Sequence, residues 1–295
     1  MYYFMKILSF LLCHIPKAAA HGFGQGLGEF FWALVPAKRK ELAVRQILQC
    51  RITDDRKEAQ RIAKASAVRF GPMIAEVLRY PIYTKAILEE KIEFRNREIL
   101  DDVFEKGHGC ILAATHGGNW ELLGGVLATF GYPLISVAQQ QNDGGADKFI
   151  NEYRARLHQH VTYKTGVRDM IRYLGKGYGI GLLMDQDPGK NGVIADFFGR
   201  PTLTATGPVV LAKMKKTCIV PIFIHSDRPY HHVVDVLPPV WPKETGDKNQ
   251  DLVDTTTELN SILEARIRKY PEDWFWLHNR WKWTERLHPE LNQEK

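Results

Sequence analysis

From about Gly109 onward the chain follows one pattern: a short apolar run, a helix-length or glycine-rich connection, then another short apolar run. The runs fall at Cys110 to Ala114, Pro133 to Ala138, Gly179 to Met184, Cys218 to Ile224 and His232 to Leu237. Each has the length of a buried strand, and connections this long favour parallel neighbours, because a parallel pair needs a crossover rather than a tight turn. The expected fold class is therefore α/β, a single domain with a largely parallel or mixed central sheet flanked by helices. Upstream the period changes. Leu42, Ile47, Leu48 and Ile52, then Ile62, Phe70, Met73, Ile74, Val77 and Leu78, recur near every third or fourth position and predict two or three amphipathic helices. There is no internal repeat, low-complexity tract or convincing linker. The expected division is a helical N-terminal layer over 38–105, packed on an α/β core over 106–295 that closes with an aromatic and basic segment.

The composition permits such a core: 295 residues, 44% hydrophobic and 25% charged, excludes disordered and coiled-coil classes. Cys13, Cys50, Cys110 and Cys218 lie far apart with no C-x-x-C pair, against a disulfide framework or a cysteine-rich zinc site and in favour of a reducing compartment. The net charge of +6 admits anionic partners. Residues 38–70 hold ten basic residues against four acidic ones, a surplus equal to that of the whole chain.

Residues Tyr2 to Ile15 are apolar except for Lys6, Ser9 and His14, a run shorter than the roughly 20 residues of a spanning helix. Lys6, the following apolar run and Ala18 to Ala20 also mimic a signal peptide, the second reading. From Gly22 to Pro36 only Glu29 is charged, and Lys38-Arg39-Lys40 follows directly. Apolar residues running into a basic cluster suit a helix resting in the headgroup layer of an anionic membrane. Residues 1–37 are thus expected to associate with an anionic membrane surface, making the protein peripheral or monotopic. A core-packing hairpin with a solvated basic face is the plainer alternative.

The segment from Ile111 through Thr115-His116-Gly-Gly-Asn119-Trp120-Glu121 reads as a buried strand, a polar turn and the start of an apolar helix. Ligands of open α/β sheets collect at the carboxyl ends of strands, where His116 falls. Gly117 and Gly118 free the backbone to turn, which would bring Glu121 to one ring nitrogen and leave the other as a base. With no serine or cysteine in the segment, a histidine–carboxylate dyad suggests deprotonation of a substrate hydroxyl. The spacing does not match H-E-x-x-H, so no metal is expected. A second strand ends at Asp185-Gln186-Asp187-Pro188, where the carboxylates either serve the site or close an Asx turn. Phe197-Phe198-Gly199-Arg200-Pro201 leads to Thr204 and Thr206, which suit a phosphate or a helix cap. Between Tyr270 and Trp283 lie four of the seven tryptophans beside Arg280 and Lys282, fit for a membrane interface, stacked bases or simple core packing.

Taken in order, His116-Gly-Gly-Asn-Trp-Glu121, Asp185-Gln186-Asp187, Phe197-Phe198-Gly199 and the closing Pro271…Trp276-Leu277-His278-Asn279-Arg280-Trp281-Lys282 resemble the bacterial lipid A biosynthesis acyltransferase family. These are the late lauroyl- and myristoyl-type enzymes of the lysophospholipid acyltransferase superfamily, and the likeness runs from about Gly26 to Lys282. It implies transfer of a fatty acyl chain from an acyl carrier protein or coenzyme A thioester to a hydroxyl of a lipid acceptor. The place implied is the cytoplasmic face of the bacterial inner membrane, with no metal or organic cofactor and no nucleic acid partner. His116 would be the general base oriented by Glu121, and Asn119, Arg154, Asp185, Gln186 and Arg200 would contact substrate. Asn279 and Trp281 depart from the usual closing motif, which leaves the acceptor open among lipid A precursor, lysophospholipid and glycolipid. A hydrolase using the same dyad, and a non-catalytic basic membrane-binding protein, are the readings from other classes.

Overall fold

A computed structural model of the protein describes residues 1–292, so the last three positions of the expected 106–295 unit lie outside the described residues. Helices α1 (Tyr2–His14), α2 (Lys17–Leu34), α3 (Ala37–Gln49), α4 (Arg56–Val68), α5 (Phe70–Val77) and α6 (Lys85–Lys91) come first. Strand β1 (Ile92–Arg95) and α7 (Arg97–Glu105) lead to β2 (Cys110–Ala114), α8 (Trp120–Thr129), β3 (Leu134–Ala138), α9 (Gly144–Arg156) and β4 (His160–Tyr163). Then follow α10 (Val167–Leu174), β5 (Gly179–Leu183), β6 (Val193–Phe197), β7 (Arg200–Thr204), α11 (Gly207–Lys215) and β8 (Ile219–Arg228). Strand β9 (His231–Val236), α12 (Lys248–Lys269) and α13 (Lys282–Leu287) complete the chain.

Seven strands form one sheet in the order β1-β9-β8-β2-β5-β3-β4, while β6 and β7 form a separate antiparallel hairpin. All neighbours in the large sheet pair parallel except β8 and β9. The central strand β2 is buried along its whole length, as a strand covered on both faces must be. Its side chains divide by parity. Ile111 and Ala113 join the core formed with α3, α4 and α10 to α12, and Leu112 and Ala114 join the one formed with α1, α5, α8 and α9.

The five expected strands are present, and the sheet also takes up β1 and β4, which were not foreseen. Both are four-residue edge strands whose sequences, Ile-Glu-Phe-Arg and His-Val-Thr-Tyr, carry little apolar signal. Because β1 pairs with β9, residues 38–105 are not purely a helical layer: their end builds the edge of the sheet.

Residues 1–37 form two helices. On one side α1 is held by the fold: Ser9 Oγ donates to the carbonyl of Leu78 at 2.6 Å and accepts from the Tyr153 hydroxyl at 2.6 Å, and Lys6 pairs with Glu152 at 2.6 Å. On the other, Tyr3, Phe4, Ile7, Phe10 and Leu11 are exposed. Helix α2 meets α5 almost backbone to backbone, since a Cβ on Gly71 would lie 1.9 Å from the carbonyl oxygen of Gly24. Its outer face shows Phe30, Phe31 and Leu34. Among the described residues no helix is long and apolar enough to cross a membrane.

Candidate active site

Strands β2 and β5 pair in register, Ala114 opposite Leu183, and the ladder continues with a bond from the Met184 N–H to the Ala114 carbonyl at 3.1 Å. Two residues further along each strand, that register brings His116 and Asp185 together at the carboxyl end of the sheet. His116 Nδ1 lies 2.8 Å from Asp185 Oδ1, and the His116 backbone N–H donates to Asp185 Oδ2 at 3.0 Å. The Trp274 indole N–H donates to the same Oδ2 at 2.8 Å. Burial alone would raise the Asp185 carboxyl, but His116 and Trp274 outweigh it and hold the group below the usual carboxylate value. Asp185 is 2% exposed, whereas the His116 side chain keeps 21% of its surface open towards the cavity.

The turn after His116 is clamped from both sides. Gly118 has φ +57°, and a Cβ there would sit 2.0 Å from the carbonyl oxygen of Ile224, so the loop crosses β8 where only glycine fits. The Arg69 guanidinium donates to the carbonyls of Gly118 and His116, each at 2.7 Å. Its burial lowers the Arg69 pKa to about 10.

Glu121 does not reach the imidazole. Helix α8 starts at Trp120, whose ring meets the His116 ring edge-on at 5.3 Å, and Glu121 in the first turn faces α9 instead. There it forms a bidentate pair with Arg154, 2.7 Å to Nη2 and 2.9 Å to Nε. Asp185 holds the orienting position expected of Glu121, because strand register is a tighter constraint than a glycine turn pinned by Arg69 and β8.

A cavity of about 800 Å³ opens beside these groups. His116, Glu121, Arg154, Gln186 and Asp187 line it, and apolar residues including Leu112, Leu123, Leu127, Leu134 and Leu183 carry it inward between the sheet and α8. Asn119, expected to touch substrate, is not among the lining residues. It is buried, caps α8 by accepting from the Leu122 N–H at 3.0 Å, and donates to Glu76 at 2.8 Å. Glu76 also lies 2.8 Å from His232 Nε2 and accepts from the Tyr83 hydroxyl at 3.0 Å. Burial would raise the Glu76 pKa, but His232 with Lys91 and Asn119 brings it down to about 2.

Arg200 is likewise outside the cavity lining. It follows the hairpin turn at Phe198 and Gly199, stacks over Trp281 at 4.8 Å and donates to Gln49 at 3.2 Å, directed away from the site by the β6–β7 hairpin. Asp187 closes an Asx turn, accepting from the Gly189 N–H at 2.8 Å and also from the Trp283 N–H at 2.9 Å. Thr206 lines the cavity at the N-cap position of α11 without a side-chain capping bond.

The aromatic C-terminal segment packs rather than projects. Trp274, Trp276 and Trp281 are buried, and the Arg280 guanidinium, with its pKa lowered to about 10 by burial, donates to the Leu203 carbonyl at 2.6 Å and Thr204 Oγ1 at 2.9 Å. His278 Nε2 accepts from the Asp187 N–H at 3.0 Å. This segment therefore buttresses the end of β5. Arg69, Glu76 and Trp274 were not anticipated as parts of the site's support. Arg69 falls in the basic stretch 38–70 and Trp274 in the aromatic C-terminal segment, but neither stretch points to this role.

A sequence profile for bacterial lipid A biosynthesis acyltransferases matches residues 1–283. Among individual relatives, the phosphatidylinositol mannoside acyltransferase of Mycolicibacterium smegmatis is 26% identical over 75% of this chain and 72% of its own. Lipid A biosynthesis acyltransferase 2 of Shigella flexneri is 24% identical over 64% of this chain and 60% of its own. The lipid A biosynthesis lauroyltransferase of Escherichia coli K12 is 25% identical over 92% of this chain and 88% of its own. With a profile match over nearly its whole length, the chain belongs to the bacterial lipid A biosynthesis acyltransferase family.

Proposed function

We propose that this acyltransferase moves a fatty acyl chain from a thioester donor to a hydroxyl of a lipid A precursor, with His116 as general base. The observation that carries the reading is His116 beside Asp185 at 2.8 Å, facing a cavity that is polar at the strand ends and apolar beneath α8. With Nδ1–H donated to Asp185, Nε2 is the acceptor nitrogen left for a substrate hydroxyl. Nε2 takes the hydroxyl proton as the oxygen attacks the thioester carbonyl. The tetrahedral intermediate then collapses, the carbon–sulfur bond breaks, and the imidazolium returns its proton to the leaving thiolate. Asp185 stabilises that imidazolium. Arg154, fixed by Glu121, and Gln186 are the polar lining groups suited to holding substrate. A thioester is already activated, so positioning and charge stabilisation supply most of what is needed.

The exposed apolar faces of α1 and α2 support residues 1–37 as the membrane-associating segment of a monotopic protein at the cytoplasmic face of the inner membrane. The phosphatidylinositol mannoside relative favours a second reading of the acceptor, a glycolipid other than a lipid A precursor. A labelled-acyl transfer assay in mixed micelles tests both. Acyl carrier protein and coenzyme A thioesters are offered with tetra-acylated lipid A precursor, lysophospholipids and a mannosylated phosphatidylinositol. Label in the lipid A precursor, lost in His116→Ala, is the expected result. Label confined to another acceptor overturns the pathway and keeps the chemistry, and thioester cleavage without acceptor as the dominant reaction overturns the transfer reading.

A further inference from the structure

Helix α2 is seated on the chain at either side of Arg69. A Cβ on Gly28 would lie 2.0 Å from the carbonyl oxygen of Val68, and a Cβ on Gly71 would lie 1.9 Å from the carbonyl oxygen of Gly24. Between Val68 and Gly71 falls the junction of α4 and α5, where Arg69 is the C-cap of one helix and the N-cap of the other. Its backbone N–H donates to the Ala65 carbonyl at 3.1 Å, and its carbonyl accepts from the Met73 N–H at 3.2 Å. Backbone meets backbone at the α2 contact, with no flexible side chain to take up a displacement. A shift of α2 is therefore passed to the junction, as close-packed interiors pass on strain.

From that junction the Arg69 side chain runs to the catalytic turn. Nη1 donates to the Gly118 carbonyl and Nη2 to the His116 carbonyl, each at 2.7 Å. Two carbonyl dipoles that converge on one point repel each other unless a cation lies between them. The guanidinium fork is the side chain whose fixed donors can serve both at once. The same group lies over the Trp120 ring at 5.5 Å, and that ring meets His116 edge-on at 5.3 Å. His116 is thus tied to Asp185 through its N–H and ring, and to Arg69 through its carbonyl.

We infer that Arg69 is a positioning residue for the acyl transfer, holding the His116 turn in its working shape and carrying the seating of α2 to that turn. This role rests on His116 as general base, the reading given above. Arg69 is outside the cavity lining and touches no reacting atom, so its removal acts on kcat rather than on the binding of either substrate. Helix α2, with Phe30, Phe31 and Leu34 on its exposed face, then supports the catalytic turn as well as forming part of the outer surface.

The experiment measures transfer kinetics and backbone hydrogen exchange in the full-length enzyme and in Arg69→Met, Arg69→Lys, Gly28→Ala and Gly26→Ala, each well below its unfolding midpoint. Arg69→Met is expected to lower kcat about 100-fold, the cost of roughly an ångström of misplacement. KM for donor and acceptor stays within about twofold. Arg69→Lys keeps the charge without the fork and recovers part of the loss. Exchange over residues 114–122 quickens in Arg69→Met and Gly28→Ala, while that of α10 and α11 stays as in wild type. Gly28→Ala lowers kcat about tenfold by displacing the junction, and adds nothing further when Arg69→Met is already present. Gly26→Ala, whose Cβ would meet nothing within 4 Å, is the control on the same helix and keeps wild-type kinetics. Should Gly28→Ala fail to fold, Gly24→Ala, with its Cβ 2.7 Å from the Pro72 Cα, carries the same cycle. An unchanged kcat in Arg69→Met, a rise in KM alone, unaltered exchange over 114–122, or effects of Gly28→Ala and Arg69→Met that multiply each overturns the inference. Full activity in His116→Ala refutes the general-base reading alone. In that case exchange still decides the tie: quickened exchange over 114–122 in both variants keeps it, and unchanged exchange sinks it.

Discussion

Two carboxylates flank the cavity, Glu121 in its lining and Asp185 buried behind His116, and their surroundings differ. Asp185, at the strand-end wall, is 2% exposed and is bonded by the His116 ring, the His116 backbone and the Trp274 indole. Glu121, at the helical wall, is engaged by the Arg154 guanidinium in a bidentate pair. Under the proposed mechanism the first carboxylate would respond to a proton arriving on imidazole, because its partner would change charge. The second is matched to a permanent cation and serves to hold that cation still. Proximity in sequence to the histidine thus decides less than which side of the cavity each backbone segment builds.

The sharpest way to break this assignment is to remove the groups in turn. His116→Ala is expected to lower kcat by roughly 10²–10⁴, the range for a lost general base, with the thermal unfolding midpoint little changed. Transfer at the wild-type rate would end the mechanism. Asp185→Asn keeps the imidazole but loses the partner of the imidazolium, and a fall of about 10² in kcat is expected, smaller than that for His116→Ala. Its effect on stability has a definite sign. Because the folded-state pKa of Asp185 is depressed, its contribution is fully present above the unfolded value near 3.9 and is lost as pH falls through the folded value. Denaturation at several pH values should therefore show the Asn variant less stable than wild type at pH 7 and the gap closing in acid.

The helical wall gives a different pattern. Arg154→Met leaves the Glu121 carboxylate partly buried without its cation, an arrangement that costs about 3–5 kcal/mol when fully buried and less here, where Glu121 keeps 16% of its side-chain surface. Activity is expected to fall about tenfold, roughly 1.4 kcal/mol of barrier, through lost positioning. Glu121→Gln/Arg154→Met together should regain stability without regaining activity, measured as a double-mutant cycle on both. A cycle in which Glu121→Gln alone matches Asp185→Asn in kcat and in acid behaviour would erase the distinction between the two carboxylates.

How far these roles can be read without coordinates depends on how each residue is placed. Strands β2, β5 and β8 are apolar runs, buried throughout in β2, over the first seven residues of β8 and at the start of β5, and they stand out in the sequence. Strands β1 and β4 are four-residue edges too short to stand out, although Ile92 and Phe94 of β1 pack in the core, and β6 and β7 fall in a connection where no strand is expected from the sequence. His116 is legible because it follows a buried strand into a glycine turn. Its partner is legible only with the β2–β5 register in hand, since 69 positions separate His116 from Asp185 and the pairing offset is what closes that gap. Arg69 and Glu76 carry no local signal at all. A buried guanidinium serving two loop carbonyls, and a carboxylate gathering Asn119, His232 and Tyr83, look in sequence like ordinary charges on amphipathic helices.

Asn119 offers the smallest effect and the finest discrimination. It is the N-cap of α8, within the motif that begins at His116, and motif membership alone made it a substrate contact. Its side chain instead satisfies the Leu122 N–H at the start of α8 and the buried Glu76 carboxylate. Asn119→Ala should therefore cost about 1–2 kcal/mol of stability as a lost cap. Asn119→Ser, which keeps a capping oxygen, should recover part of it. Both should stay within about threefold of wild-type kcat/KM, under 1 kcal/mol of barrier. A contact to substrate predicts the opposite ranking: intact stability, a raised KM for the acceptor in both variants, and no rescue by serine. Calorimetry and acceptor titration on the same two proteins separate these outcomes, because a cap acts on the folding equilibrium whether or not substrate is present.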